Sequence, residues 1–299
     1  MNPEADLGEV ARAISAEAGV RLSAAPAGAV SGGSIHATQR WAYTAPEAGW
    51  LFVKLAASRE RAMLASEADG LSRLAVAGAV RVPEVRAAGV AGVTAYLALT
   101  WIERGSPSPA CERLLGEQLA TLHRSTGRAF GLNRDNYIGR TAQQNGWMES
   151  WPEFFRERRL KPQLALAAAN GLSGLESPGQ RLLEAVAQLL THSPPASLLH
   201  GDLWGGNWFA DRSGTPVIFD PAVYYGDRET DLAMTRLFGG FGPDFYAAYE
   251  RSWPLPDGSR TRNELYMLYH VLNHANLFGG GYVQQARAMM ERLLAQVHG

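Results

Sequence analysis

One change of pattern constrains the fold more than any other feature of this chain. Its first hundred residues read mostly as strands and turns, and from about residue 109 the apolar spacing becomes helical. Residues 4–19 predict a short amphipathic helix, with Leu7, Val10, Ile14 and Ala18 near one face. Residues 27–30, the glycine turn Ser31-Gly32-Gly33-Ser34 and Ile35 to Tyr43 predict strand, turn, strand. Trp50 to Leu55 predicts a third strand, Arg59 to Ala77 a helix, and Pro83 to Val90 and Thr94 to Ile102 two more strands. Helices are then expected near 109–126, 150–169, 178–192, 228–238, 243–251, 260–276 and 283–297. Two strand-like pieces, Ser197 to His200 and Val217 to Asp220, interrupt them. The switch falls at residues 103–108, Glu-Arg-Gly-Ser-Pro-Ser, a hinge composition. The expected architecture is α+β: a small β-rich N-lobe over 1–103 and a larger helical C-lobe over 104–299.

Composition narrows the function. The chain has 299 residues and a net charge of −1, with 46% hydrophobic and 19% charged residues. Disorder needs lower hydrophobicity and more net charge, and a general nucleic-acid binder would carry a basic excess. No nucleic-acid partner is therefore expected. The longest run free of Asp, Glu, Lys, Arg and His, Ala87 to Ile102, falls short of the ~20 apolar residues of a membrane span. Residues 1–19 show no apolar signal core. A single cysteine, Cys111, allows no internal disulfide and no cysteine-rich zinc site. A soluble cytoplasmic protein with no membrane partner is the simplest expectation.

The residues that carry chemistry stand close together in sequence. His200-Gly201-Asp202-Leu203-Trp204-Gly205-Gly206-Asn207 follows a short apolar strand, and Ile218-Phe219-Asp220 ends another thirteen residues beyond Asn207. An Asp, an Asn five residues on and a second Asp ending a strand fit the catalytic loop and metal-binding acid of phosphoryl-transfer enzymes. Such chemistry spreads charge over phosphoryl oxygens, so hard oxygen ligands must hold Mg²⁺, which suits Asn207 and Asp220. A carboxylate must also orient the attacking hydroxyl and accept its proton, which suits Asp202. Gly28, Gly32 and Gly33 lie in a strand-turn-strand context where backbone N–H groups could approach a phosphate. Lys54 ends the strand Leu51-Phe52-Val53 and is one of only two lysines, the other being Lys161. A lysine there is expected to contact the nucleotide phosphates and to be held by a glutamate of the next helix. Glu67 is the natural partner and Glu60 the competitor.

Other features read as structural. His270 and His274 share a helix face, but Val271 replaces the glutamate of a zinc-type motif, so packing or substrate hydrogen bonding is expected rather than metal. Trp147, Trp151, Phe154 and Phe155 read as core, and Arg156, Arg158 and Arg159 as a solvated face.

These motifs resemble the fructosamine kinase (ketosamine-3-kinase) family, within the protein kinase-like phosphotransferases, over nearly the whole chain. The resemblance rests on Ser31 to Ile35, on Asn136-Tyr137-Ile138-Gly139 leading to Trp147 and Trp151, and on residues 200–207. It rests also on Asp220-Pro221-Ala222-Val223-Tyr224-Tyr225-Gly226-Asp227-Arg228-Glu229 and on Asn273 to Tyr282. It implies a bilobal kinase-like fold and ATP- and Mg²⁺-dependent phosphorylation of a sugar hydroxyl, the 3-hydroxyl of a fructosamine or ribulosamine. Acceptors would be small ketosamines or glycated protein lysines, and the unstable product would release the amine. The resemblance implies Asp202 as base, Asn207 and Asp220 as Mg²⁺ ligands, and Lys54 with Glu67 at the phosphates. It places Gly32, Gly33 and Ser34 in the nucleotide loop, and Leu99, Thr100 and Trp101 at adenine. Trp204 would stack on the sugar, with Tyr225 and His274 also substrate-binding, and His200 and Asp231 would brace the loop. A monomer or weak dimer is expected.

Three departures sharpen the expectation. Ser34 stands where some members carry a redox-responsive cysteine, so no such switch is expected. Asp220 is followed by Pro and Ala rather than Phe-Gly, and no Ala-Pro-Glu activation segment follows. Both argue against a protein kinase with a mobile phosphorylated loop. The rival readings are a kinase of another small alcohol, of aminoglycoside or amino-alcohol type, and a kinase-like binding protein without catalysis.

Overall fold

A computed structural model describes residues 7–23, 28–29 and 36–298. The nucleotide-loop candidates Gly32, Gly33 and Ser34 lie outside the described residues. Along the chain run α1 (Leu7–Ala18), β1 (Gly28–Ala29), β2 (Ala37–Tyr43), β3 (Gly49–Ala57), α2 (Arg61–Ala77), β4 (Val85–Ala91), β5 (Thr94–Thr100) and α3 (Pro109–His123). Next come β6 (Asn136–Ile138), β7 (Thr141–Gln143), α4 (Trp151–Phe155), a π turn (Arg156–Leu160), α5 (Lys161–Ala169) and α6 (Glu176–Leu189). The remainder is β8 (Ser197–Leu199), β9 (Trp208–Ala210), β10 (Pro216–Ile218), β11 (Tyr224–Gly226), α7 (Glu229–Leu237), α8 (Pro243–Ser252), α9 (Ser259–Phe278) and α10 (Gly281–His298).

The chain divides into two compact units. The first comprises the described residues up to Ser108 together with Phe209–Pro221; the second takes Pro109–Trp208 and the chain from Ala222. A single division near residue 103 does not anticipate the return of 209–221 to the first unit, and backbone pairing explains it. Gly105 N–H donates to Ala210 O at 2.7 Å, Arg212 N–H to Glu103 O at 3.2 Å, and Ile218 N–H to Arg81 O at 3.0 Å. Arg81 also forms an ion pair with Asp211. A side chain at Gly105 would place its Cβ 2.3 Å from Asp211 O, so the strands could not close there on a larger residue.

In the first unit β1 to β5 form one antiparallel sheet in the order β1-β2-β3-β5-β4. Alternation along β3 sorts its side chains. Leu51, Val53 and Leu55 join Val10, Ile14 and Trp41 in an apolar cluster that includes α1. Phe52 and Ala56 join Leu64, Leu71, Leu97 and Leu99 in a second cluster that includes α2. Lys54 has the parity of Phe52 and Ala56, so it is aimed at the α2 side of the sheet. There Glu67 lies three residues after Leu64 and four before Leu71, within the buried stripe of its helix.

The second unit is mostly helical, and a large cluster of its core runs from Phe130, Ile138 and Trp151 through Leu182, Leu199 and Leu265 to Leu293, while Leu115, Leu119, Phe245 and Tyr249 of α3 and α8 are buried outside that cluster. Its antiparallel ladders are short: β6 with β7, and β8 with β11. Helix α9 is its inner helix, with buried residues on every turn from Arg262 to Ala275. Two readings from composition need correction here. Arg159 is fully buried, because its guanidinium lies over the rings of Tyr224 at 3.9 Å and Phe154 at 4.7 Å and donates to Asn145 Oδ1 at 2.8 Å. Trp147 is not core: nearly half of it is exposed, and its ring packs against Tyr225. Trp151, Phe154 and Phe155 are core residues.

Candidate active site

The first unit brings together three charged residues far apart in sequence. Lys54 is 5% exposed, and its Nζ lies 2.8 and 2.9 Å from the two carboxylate oxygens of Glu67. The same ammonium also donates to Asp220 Oδ1. Asp220 arrives directly after β10, and its φ of 56° is left-handed, a conformation rare outside glycine and found disproportionately at functional positions. Burial alone would lower the Lys54 pKa, but the two carboxylates outweigh it and the ammonium is held charged. Burial pushes the Glu67 carboxyl upward, against the pull of Lys54. One cation thus serves two carboxylates, and Glu60 takes no part: its Oε2 accepts from Ala57 N–H at 3.3 Å.

The adenine candidates lie at the end of β5 in the same unit. Thr100 N–H donates to Glu84 O at 2.9 Å and Trp101 N–H to Trp50 O at 3.2 Å. The Trp101 ring sits under the Arg40 guanidinium at 4.5 Å. The N–H groups of Thr100 and Trp101 are therefore committed within the sheet.

The second unit holds the loop 200–207. Asp231, on the first turn of α7, is 1% exposed and accepts from His200 N–H and Gly201 N–H, both at 2.8 Å. His123 Nε2 reaches the same carboxylate at 3.1 Å, and its Nδ1 meets Tyr249 Oη at 2.8 Å. Burial raises the pKa of Asp231, but the bond from His123, the nearby imidazoles and the Gly201 amide overcome it, so the group is held below the usual carboxylate range. A carboxylate can only accept, so His123 Nε2 carries the proton. Gly201 has φ +83°, and a Cβ there would come 2.1 Å from Ala222 O. The loop therefore turns tightly at the residue before Asp202. Asn207 then closes it, with Nδ2 donating to Asp202 O at 2.8 Å and Asp202 Oδ2 at 3.3 Å. His200 Nδ1 accepts the Asp202 N–H at 3.3 Å.

The substrate candidates separate in this unit. Trp204 is 38% exposed, and its ring meets Phe238 at 6.3 Å. The His274 ring lies 4.6 Å from the same Phe238. Tyr225 is placed elsewhere, with its ring on Trp147 at 6.0 Å.

Residues 7–296 match the family described as fructosamine kinase. The chain belongs to the fructosamine kinase family. A Synechocystis protein named "Probable ketoamine kinase" is 45% identical over 245 residues, covering 81% of this chain and 82% of that protein. The chloroplastic protein-ribulosamine 3-kinase of Arabidopsis thaliana is 39% identical over 272 residues, covering 89% and 82%. A Thermobifida fusca crystal structure assigned as a fructosamine-3-kinase superposes with a TM-score of 0.85 at 30% identity, covering 97% and 99%.

Residues that sequence reasoning missed support the predicted ones. His123 and Tyr249 complete the brace on Asp231. The available signal was the position of His123 on the stripe of Leu115 and Leu119 in α3, where a polar residue needs a buried partner. Asp227, Arg228 and Glu229 also prove structural. Asp227 Oδ2 accepts from Tyr266 Oη at 2.6 Å and meets His192 Nε2 at 2.7 Å, and Glu229 forms a two-pronged ion pair with Arg262. Arg228 donates to Trp253 O and Pro254 O. Asn136 holds the chain after Asp220 by donating to Val223 O at 2.8 Å.

Proposed function

We propose that this protein transfers the γ-phosphoryl group of ATP to a sugar hydroxyl of a ketosamine, the 3-hydroxyl of a ribulosamine or fructosamine adduct. The observation that carries the reading is the Asp202–Asn207 pair, held on a loop that the buried Asp231 fastens through two backbone amides. Asp202 acts as the base. It accepts the hydroxyl proton as the sugar oxygen bonds to the γ-phosphorus, and the bond from that phosphorus to the bridging oxygen breaks to release ADP. Phosphorylation labilises the adduct and frees its amine, so the activity promotes deglycation of small amines or of protein lysines.

Asn207 and Asp220 each carry oxygen donors of the kind magnesium takes. With Nδ2 of Asn207 engaged by Asp202, its Oδ1 is the oxygen left to face a cation, and Asp220 adds a carboxylate. Mg²⁺ bound there would neutralise charge on the transferring phosphoryl group. Lys54, oriented by Glu67, takes the nucleotide phosphates, and family membership assigns Gly32, Gly33 and Ser34 to the same phosphates. Leu99, Thr100 and Trp101 border the adenine. Because the amides of Thr100 and Trp101 are engaged, a backbone donor to adenine comes from the residues after Trp101. Trp204 supplies an apolar face for the sugar C–H groups, and His274 belongs to the same ring cluster. Among the described residues no helix is long and apolar enough to cross a membrane.

The test is ATP-dependent product formation, followed by mass spectrometry, on ribulosamine, erythrulosamine and fructosamine adducts beside an aminoglycoside and choline. Phosphorylation of the ketosamines is expected. Robust turnover of the other alcohols with none of the ketosamines contradicts the reading.

A further inference from the structure

Three exposed aromatic side chains, Trp204, Phe238 and Phe278, fall in one row of ring contacts that starts two residues after the proposed base. Trp204, two residues after Asp202, touches Phe238; Phe238 touches His274; His274 touches Phe278 at 5.6 Å and Tyr282 at 5.2 Å. Trp204 and Phe238 are each 38% exposed and Phe278 is 68% exposed. Apolar rings left in water in one contiguous row mark a recognition surface more often than a packing accident. The row is also anchored to the catalytic loop. The Trp208 indole N–H donates to Gly240 O at 3.0 Å, and Gly240, with φ +90°, comes so close to Gly205 that a Cβ would lie 2.6 Å from the Gly205 Cα. A Cβ at Gly206 would lie 2.2 Å from the Trp204 ring. Neither the indole nor the loop carrying Phe238 can drift from Asp202 without breaking these contacts.

A ketosamine has two halves: a sugar, which carries the acceptor hydroxyl, and an amine bearing any of many substituents. The sugar half must lie at Asp202 and Trp204. We infer that Phe238, Phe278 and Tyr282 form the subsite for the amine half, selecting adducts whose amine carries an apolar or aromatic substituent. The inference rests on the ketosamine reading above and adds the specificity within it. Ring faces suit both parts of such a group. They cover hydrocarbon, and they attract the protonated secondary amine through their π electrons. Burial holds the pKa of His274 below the ordinary histidine value, so at neutral pH it adds no positive charge to repel that amine.

The test is a ladder of ribulosamines built on methylamine, butylamine and phenethylamine, with kcat and KM measured separately. For the native enzyme kcat/KM is expected to rise about five- to tenfold from the first to the last, mainly through KM. Phe278→Ala and Phe238→Ala are expected to flatten that rise. Val76→Ala, which trims an exposed apolar side chain in the first unit, keeps it. Phe278 is so exposed that its truncation opens no core cavity, and melting temperatures verify folding. Equal kcat/KM along the ladder in the native enzyme overturns the inference alone, as does an undiminished rise in both phenylalanine variants. A native enzyme inert toward every adduct overturns the ketosamine reading, and this inference with it.

Discussion

The two constellations are built on opposite principles. In the second unit, Asp202 is positioned by hydrogen bonds between a buried carboxylate and backbone amides, with His123 and Tyr249 behind them. In the first unit, Asp220 is held by an ammonium that it shares with Glu67. The first arrangement has one set of partners and one geometry. The second has two carboxylates for one cation, so a phosphate or metal ion can redistribute the pairing. The difference matches the division of labour proposed for them: a base must sit still, whereas a nucleotide site must exchange partners as ligands come and go.

The largest effect should come from the fixed constellation. Asp202→Asn keeps the side-chain volume but removes the base, and kcat is expected to fall about 10²–10⁴-fold in a steady-state ATP-consumption assay. Turnover near the native value would remove Asp202 from its role. Next is the brace. Asp231→Ala strands two backbone N–H groups and an imidazole in a buried place, and should cost about 3–5 kcal/mol in urea unfolding. A loss under about 1 kcal/mol would mean the loop is held by something else.

A pH experiment probes the helix beneath the ring cluster. His270 is buried, and burial, then the neighbouring His274, lowers its pKa to about 3. The unfolded chain binds that proton near pH 6.5, so stability is complete above this pH and is lost as pH falls below it. The loss is about 1.4 kcal/mol per pH unit, or about 2 kcal/mol at pH 5. His270→Gln should remove this component when the pH dependence of unfolding is compared with that of the native protein. Equal slopes would contradict the burial argument. The smallest effect belongs to the competitor glutamate. Glu60→Gln alters only a long bond to Ala57 N–H and should change stability by less than about 1 kcal/mol, with kcat/KM unchanged.

The same contrast explains what could be read from the sequence. Residues 200–207 form one turn of chain, so their chemistry is visible in their spacing. The pairing of Lys54 with Glu67 follows from strand parity and helix periodicity, both local rules. The partnership of Asp231 with His123 spans 108 residues, and that of Lys54 with Asp220 spans 166, so only topology decides them. Strands β9 and β10 have three residues each, too few for alternation to register, which hid the return of 209–221 to the first unit. Arg159 defeated a charge-based reading because its counterpart is a set of ring faces instead of a carboxylate. The helical expectations held because their apolar stripes run for several turns, as in α6 and α9.

The measurement closest to the central claim compares the melting-temperature increase produced by Mg·ATP in Lys54→Met with that in Asp202→Asn. In the native protein, ligand at a hundred times its Kd should stabilise by about 2.7 kcal/mol. The expected result is loss of the increase in Lys54→Met and its retention in Asp202→Asn. Retention in Lys54→Met, or loss in Asp202→Asn, would contradict the assignment of nucleotide binding to one constellation and base catalysis to the other.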